Sequence, residues 1–296
     1  MSAHQEAIGQ ATAGRRAKDA LFRVALFACL AIAVALLAVL LIDVAIDGAG
    51  TLDWHFINSF TSISANKAGI QAALWGTIWL MGVCALFIVP VGIATAIYLE
   101  EYGDQKRWWN RLIELNIQNL AAVPSIVYGI LGLAFLVRGP LNLGNVVLAG
   151  GLTLGLLVLP MVIIASREAL RAVPPSIREG SMALGATQWQ TIWRQVLPAA
   201  IPGIATGVIL ALSRAIGETA PLIVVGAATV IAFNPTGVDS PFTAMPIQIF
   251  DWISRASNDI NDYRPLAAAG ILLLILLLLA MNSVAIWLRN RYEQKW

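Results

Sequence analysis

The chain has 296 residues, of which 58% are hydrophobic and 12% are charged, and its formal net charge is +2. Soluble domains carry about 25% charged residues, so this composition argues against a soluble enzyme. The lack of a basic excess argues against a nucleic-acid-binding protein. Disorder is excluded because the apolar content is high and the net charge is small. The class that remains is an all-α integral membrane protein with several spans.

Long apolar stretches recur along the chain, and a helix needs about 20 apolar residues to cross a bilayer. We expect six spans, namely Val24–Ile42, Ala72–Leu99, Ile117–Val137, Leu143–Ala165, Ala199 to about Ala220, and Leu266–Leu288. The fifth stretch stays apolar beyond Ala220. Its outer part, Pro221–Phe233, is expected either to bend back or to continue as an outer gate helix.

Lys and Arg concentrate at alternate ends of these spans, and such residues are enriched on the cytoplasmic side of membrane proteins. We therefore expect cytoplasmic tails at 1–23 and 289–296, with a membrane domain at 24–288 between them. A seventh span would move the C-terminal cations outside. A cleaved signal peptide is disfavoured because no small-residue cleavage site follows Asp43.

The cytoplasmic segment 166–198 is longer than a connection between two bundle helices needs to be. Ser176 and Glu179 have the spacing of a capping box just after two prolines, which predicts the start of a short helix. Gly185 suits the left-handed position that ends such a helix.

A second short helix is predicted by Thr187 and Gln190, which have the spacing of another capping box, and Pro198 is expected to end it. Its apolar residues recur at helical spacing: Trp189, Ile192, Trp193 and Val196. The segment is thus a helix–glycine–helix hairpin. It either rests on the membrane as an amphipathic hairpin or docks a soluble partner.

The hairpin resembles the cytoplasmic loop of ABC importer permeases, in which Glu-Ala-Ala is followed by three residues, Gly, nine residues, Ile, any residue and Leu-Pro. The matching residues are Glu179, Gly185, Leu197 and Pro198, while Gly180-Ser181 replace Ala-Ala and Gln195 replaces Ile. The resemblance implies a type I ABC importer permease fold, with this coupling hairpin between spans four and five.

In that family the first short helix of the loop inserts into a groove on the ATPase subunit. The resemblance therefore implies Glu179 as the anchor and Gly185 as the hinge of a coupling element. Its residues are consecutive: Ser176, Ile177, Arg178, Glu179, Gly180, Ser181, Met182, Ala183, Leu184 and Gly185.

Three segments resemble the PstA family of phosphate importer permeases: PSIVYG at 124–129, ALGATQWQTIWRQVLPAAIPGI at 183–204, and SRAIGETAPL at 213–222. The resemblance implies a complex in the inner (plasma) membrane. Its other members would be a PstC-like permease, two PstB-like ATPase subunits and a PstS-like extracytoplasmic phosphate-binding protein. The chain itself would be non-catalytic and need no cofactor. Consistently, it contains neither a GxxxxGK[ST] loop nor a metal-ligand spacing such as HExxH.

Two charged residues interrupt the fifth span. Arg214 follows Pro202 by about 18 Å of helix, which predicts a position near the middle of the membrane, and Glu218 is one turn further on the same face. An arginine there costs about 2.5–3.5 kcal/mol on insertion scales, so it needs a partner or a function. The pair either braces the helix or forms part of a translocation pathway.

The chemistry of the pair suits a protonated oxyanion. A guanidinium presents planar, paired donors to phosphate oxygens, and a carboxylate can accept a hydrogen bond from the proton that phosphate retains and sulfate lacks. We expect a permease subunit that forms half of the pathway of an ATP-driven phosphate importer by alternating access. The alternatives are a sulfate or molybdate permease of the same architecture and, with less support, a transporter or intramembrane enzyme that works without ATP.

Overall fold

The computed structural model describes residues 13–104, 107–228, 230–255 and 262–292. All regular elements among these residues are helical. The predicted tails at 1–23 and 289–296 lie partly outside the described residues.

In the described part of the chain, the α-helices are α1 (Ala13–Ala49), α2 (Trp54–Asn58), α3 (Gln71–Ile97), α4 (Trp108–Ala121), α5 (Ser125–Leu131), α6 (Val147–Arg171), α7 (Pro175–Ala183), α8 (Gln188–Thr191), α9 (Leu197–Ile216), α10 (Ala220–Val225), α11 (Met245–Ser254) and α12 (Arg264–Tyr292). Three π-helical turns extend or join them. Tyr98–Tyr102 continues α3, Gly132–Val137 continues α5, and Ile192–Val196 joins α8 to α9.

Among the described residues, five helical segments are long and apolar enough to cross a membrane: Lys18–Ala49, Gln71–Tyr102, Val147–Arg171, Gln188–Ile216 and Arg264–Arg291. They lie at the positions of predicted spans one, two, four, five and six. The fourth begins at Val147 rather than at Leu143, because Asn142 and Gly144 adopt positive φ angles of 41° and 77° that end any helix there.

The predicted third span, Ile117–Val137, is not one straight helix. α4 ends at Ala121, and the chain bends by 108° before α5 begins at Ser125. Pro124 explains the break, because it lacks an N–H group and disfavours the helical conformation of the residue before it. The pair α4–α5 is therefore a broken span or a re-entrant element.

The predicted fifth span ends earlier than expected. α9 stops at Ile216, Gly217–Thr219 is not helical, and α10 covers only Ala220–Val225 before Gly226 takes a φ of +90°. The expected alternative in which Pro221–Phe233 continues as an outer gate helix is therefore wrong, because the helix covers only the first part of this segment. The left-handed Gly226 ends α10, and the described residues from there to Ala244 have no regular structure.

The core forms where α6 packs between α3 and α9. Glycines allow close approach on both sides. A Cβ atom on Gly151 would lie 2.6 Å from the Val83 side chain, and one on Gly207 would lie 2.3 Å from the Ala165 side chain. Small residues of this kind let membrane helices pack backbone to backbone. α1 lies outside this core and approaches α12 through Gly48, which touches the backbone of Ala268.

Candidate functional site

The Arg214–Glu218 pair forms as an ion pair, although not on one continuous helix. Arg214 lies in the last turn of α9, and Glu218 lies just beyond the helix end. Arg214 Nε is 3.3 Å from Glu218 Oε1, and the two side chains are 43% and 20% exposed. Arg214 Nη1 also donates to the sulfur of Met161 on α6, at 3.4 Å.

We expected Arg214 and Glu218 to lie one turn apart on the same helix, but α9 ends at Ile216, between the two residues. The N–H groups of Gly217 and Glu218 still bond to carbonyls of the last turn, at 3.2 Å each, and so keep Glu218 close to Arg214. A cation near the C-terminus of a helix is also favoured by the helix dipole. The guanidinium is therefore held by Glu218 and Met161 while much of its surface stays accessible.

Two of the three sequence segments that carry the resemblance meet beside this pair. α10 packs on α5 so closely that a Cβ atom on Gly129 would lie 2.7 Å from Cα of Pro221. Asn145 Nδ2 donates to the Gly226 carbonyl at 3.4 Å and holds the other end of α10. The ion pair therefore lies at a junction of α5, α6, α9 and α10.

Apolar side chains are exposed on the helices that flank the pair. Leu210 lies one turn before Arg214 on α9, and Ile126 and Ile130 lie on α5; all three are exposed. Exposed apolar surface on a membrane protein faces lipid or another subunit. A charged pair with such neighbours is incompletely enclosed by this chain alone.

The first arm of the cytoplasmic hairpin is α7, and the predicted capping box at its start is wrong. The helix begins at Pro175, and its N-cap is Pro174, two residues before the predicted N-cap Ser176 and without a side-chain hydrogen bond. Proline has a preset helical φ and no N–H to satisfy, so it replaces Ser176 at the start of the helix. The left-handed turn predicted for Gly185 is confirmed, with a φ of +86°.

The second arm has the predicted capping box. Thr187 Oγ1 accepts from the Gln190 N–H at 3.3 Å, and Gln190 Oε1 accepts from the Thr187 N–H at 3.0 Å. Pro198, however, does not end this helix. Pro198 has no N–H to donate to the preceding turn. The π-helical turn Ile192–Val196 accommodates this, and the chain continues without a break into α9. The second arm is therefore the inner end of the fifth span.

The hairpin presents an unpartnered surface. None of the residues of α7 is buried, and Glu179 forms no side-chain hydrogen bond or ion pair within the described ranges. Leu184 is 91% exposed, and Trp189 and Trp193 stack edge to face with ring centroids 5.3 Å apart. A groove of about 410 Å³ runs between the arms, lined by Ser176, Gly180, Leu184, Gln190 and Arg194 among others. Exposed apolar patches with a polar rim are typical of interaction sites.

Sequence reasoning missed two acidic residues at the inner end of α3. Glu100 pairs with Arg167 and Arg171, and Glu101 pairs with Arg178. The available signal was the position of these glutamates, because they lie on the same predicted side as the basic segment 166–198. Nothing in the sequence, however, indicates which glutamate contacts which arginine.

The family described as "Binding-protein-dependent transport system inner membrane component" matches residues 88–295. The chain belongs to this family. It is therefore a multi-pass membrane permease of the ABC importer type. Permeases of this family are non-catalytic subunits that work with a separate ATPase and a substrate-binding protein.

Individual relatives support this assignment over most of the chain. The probable ABC transporter permease protein YqgI of Bacillus subtilis is 30% identical over 90% of this chain and 93% of its own length. The phosphate transport system permease protein PstA of Haemophilus influenzae is 32% identical over 79% and 80%. PstA 1 of Mycobacterium tuberculosis is 42% identical, but over 53% of this chain and 50% of its own length.

Solved structures of similar shape come from ABC importers. A chain of a bacterial alginate ABC transporter in complex with its alginate-bound periplasmic protein superposes with a TM-score of 0.69, over 94% of this chain and 96% of its own, at 17% identity. A chain of the MetNI methionine ABC transporter gives a TM-score of 0.61 over 75% and 95%, also at 17% identity. At such identities the likeness establishes the fold only.

Proposed function

We propose that the chain is a permease subunit of an ATP-driven inorganic phosphate importer and forms half of its translocation pathway. The observation that carries the proposal is the Arg214–Glu218 pair, held at a helix junction with its guanidinium still accessible. The PstA names of several relatives at 32–42% identity support phosphate as the substrate.

The chemistry of the pair accounts for both attraction and selection. Arg214 supplies charge-assisted donors to phosphate oxygens. Glu218 repels a fully ionised oxyanion, but it can accept a hydrogen bond from a phosphate that keeps a proton at neutral pH. A site of this kind would bind phosphate, whose remaining proton can form a hydrogen bond to Glu218, and would reject sulfate, which has no such proton.

The continuous helix from Gln188 to Ile216 links the two proposed sites. It has 29 residues, or about 43 Å at 1.5 Å per residue. Its inner end forms the second arm of the hairpin, and its outer end carries Arg214. Movement of the hairpin by an ATPase would therefore displace Arg214 directly, as alternating access requires.

The proposed partners follow from the surfaces that the chain leaves uncovered. Two PstB-like ATPase subunits would serve the transporter, one of them seated on residues 176–185 of this chain, with Glu179 facing it and Gly185 as the hinge. A PstC-like permease would cover the apolar faces beside Arg214 and complete the pathway. A PstS-like protein would deliver phosphate from outside. In this arrangement both termini are cytoplasmic.

A permease for sulfate or molybdate is the second candidate. The fold itself does not select the substrate, because neighbours of the same fold come from a methionine transporter and an alginate transporter. A transporter that works without ATP is not favoured, since it would leave the exposed hairpin surface without a role.

The test is uptake into proteoliposomes that contain this chain and its three kinds of partner. We expect ATP-dependent accumulation of radiolabelled phosphate that excess unlabelled sulfate does not reduce. Equal competition by sulfate would favour a general oxyanion permease. Uptake that persists without ATPase subunits would overturn the proposal.

A further inference from the structure

Glu101 and Arg178 join the inner end of α3 to the exposed helix α7. Arg178 Nη2 is 2.8 Å from Glu101 Oε1, and Arg178 Nε lies 3.2 and 3.4 Å from the two carboxylate oxygens. The Glu101 side chain is only 8% exposed. Paired, charge-assisted bonds of this type fix both distance and orientation, which a single lysine contact would not do.

The same guanidinium also binds the end of α6. Arg178 Nη1 donates to the Val173 carbonyl at 2.6 Å, and Nη2 donates to the Leu170 carbonyl at 2.8 Å. These are carbonyl groups that the end of a helix leaves without intrahelical partners. One side chain of α7 therefore holds α3 and α6 together at their inner ends.

Glu101 also contacts the second arm of the hairpin. The Gln188 side-chain amide donates to the Glu101 carbonyl at 2.6 Å, and Ser181 and Thr191 join the two arms through their hydroxyl groups at 2.9 Å. Both arms are thus fastened to one residue of α3. The neighbouring residues Arg178 and Glu179 differ in role, because the first binds the membrane helices and the second is exposed.

We propose that Glu101 and Arg178 are positioning residues that make α3, α6 and the hairpin move as one body when ATPase subunits close. The proposal rests on the proposed function in one respect, namely that an ATPase docks on the hairpin. Without the contact, α7 would remain attached through its chain ends, through Ser181 and through the packing of Ile177 on the apolar cluster that includes Ala96 of α3 and Leu170 of α6. Apolar packing does not fix distance and orientation as the paired charged bonds do, so displacement of α7 would reach α3 less completely than α9.

The chain provides a matched control for this idea. Glu100 precedes Glu101 on the same π-helical turn, has a side chain that is 10% exposed, and pairs with Arg167 and Arg171 of α6 rather than with α7. Glu100→Gln and Glu101→Gln therefore make the same chemical change at equally buried neighbours. Only the second removes charge from the contact with the hairpin.

The first measurement is ATP hydrolysis by the assembled transporter, with and without phosphate-loaded binding protein. We expect Glu101→Gln to lower the stimulated-to-basal ratio at least about tenfold, which is about 1.4 kcal/mol of coupling, and Glu100→Gln to leave it within about twofold. Equal loss in the two variants would mean a general structural role and would overturn the proposal. An unchanged ratio in Glu101→Gln would overturn it as well.

The second measurement does not depend on the substrate. Spin labels at Tyr98→Cys, on the π-helical turn that continues α3, and at Pro175→Cys, the first residue of α7 and outside the docking residues 176–185, report the distance between these helices when both native cysteines are replaced by alanine. With ATPase subunits bound, we expect one narrow distance with and without nucleotide in the parent and in Glu100→Gln, and a nucleotide-dependent shift in Glu101→Gln. No shift in Glu101→Gln refutes the inference. Failure to import phosphate with these distances as expected would refute only the proposed function.

Discussion

Gly129 of α5 lies against Pro221 of α10, so that a Cβ atom added to Gly129 would be 2.7 Å from the Cα atom of Pro221. The two residues are far apart in sequence, and each belongs to a segment that resembles the PstA family. Their contact fixes α10 beside the broken α4–α5 element. It therefore determines what surrounds Arg214 and Glu218.

The first prediction concerns this contact. Gly129→Ala forces α5 and α10 apart, and overpacking of this kind costs about 1–3 kcal/mol. We expect a lower Tm of the detergent-solubilised protein and reduced phosphate uptake. Gly82→Ala on α3 is the control, because a Cβ atom there meets no described atom within 4 Å. A Gly129→Ala protein as stable as the Gly82→Ala protein would show that the contact does not hold α10.

The second prediction concerns Arg214. If Arg214 grips phosphate with its fork of donors, Arg214→Lys and Arg214→Ala should both impair transport in assembled complexes, since lysine is a point charge. Loss of one charge-assisted hydrogen bond costs roughly 1.5–3 kcal/mol, or about 10- to 150-fold in rate. Phosphate uptake at several concentrations measures this. Normal uptake by assembled Arg214→Ala would remove Arg214 from the pathway.

The third prediction separates discrimination from support at Glu218. Glu218→Gln keeps the shape and one acceptor but loses the charge that repels sulfate. We expect the phosphate-to-sulfate uptake ratio to narrow more than phosphate uptake itself falls. If the ratio stays the same while uptake falls, Glu218 serves only to hold Arg214 at its 3.3 Å contact.

The fourth prediction concerns the hairpin turn. Gly185 has a φ of +86°, and space is open around it, so the cost of substitution comes from the backbone alone. Gly185→Val should cost about 1–2 kcal/mol or more and abolish stimulated ATP hydrolysis, with the subunit still inserted. Gly185→Asn should retain most of the stimulation, because asparagine tolerates this conformation. Full stimulation in the valine variant would mean that the turn is not needed for coupling.

The fifth prediction tests the six-span topology. In a chain with Cys29→Ala and Cys84→Ala, a cysteine at Ser64 should react with an impermeant thiol reagent applied to intact cells, whereas one at Leu184 should react only after lysis. Cysteines at Ser257 and Gln294, outside the described residues, should behave like those at Ser64 and Leu184 respectively. Reaction at Gln294 in intact cells would indicate an odd number of spans.

The sequence by itself determined the membrane class, the positions of five spans and the existence of the hairpin. Span length, Lys and Arg placement, the Thr187–Gln190 capping box and the left-handed Gly185 depend on nearby residues, so they are readable along the chain. The two wrong predictions in the hairpin, the start of α7 and the end of the second arm, also have causes in nearby residues. Pro174 took the place of Ser176 as the N-cap of α7, and a π-helical turn carried the second arm past Pro198.

Only the tertiary structure decided which distant groups meet. Glu101 and Arg178 are 77 residues apart, and neither their pairing nor the contact of Gly129 with Pro221 has a local signature. Such contacts depend on the order and tilt of packed helices, and the same apolar sequences would permit other arrangements.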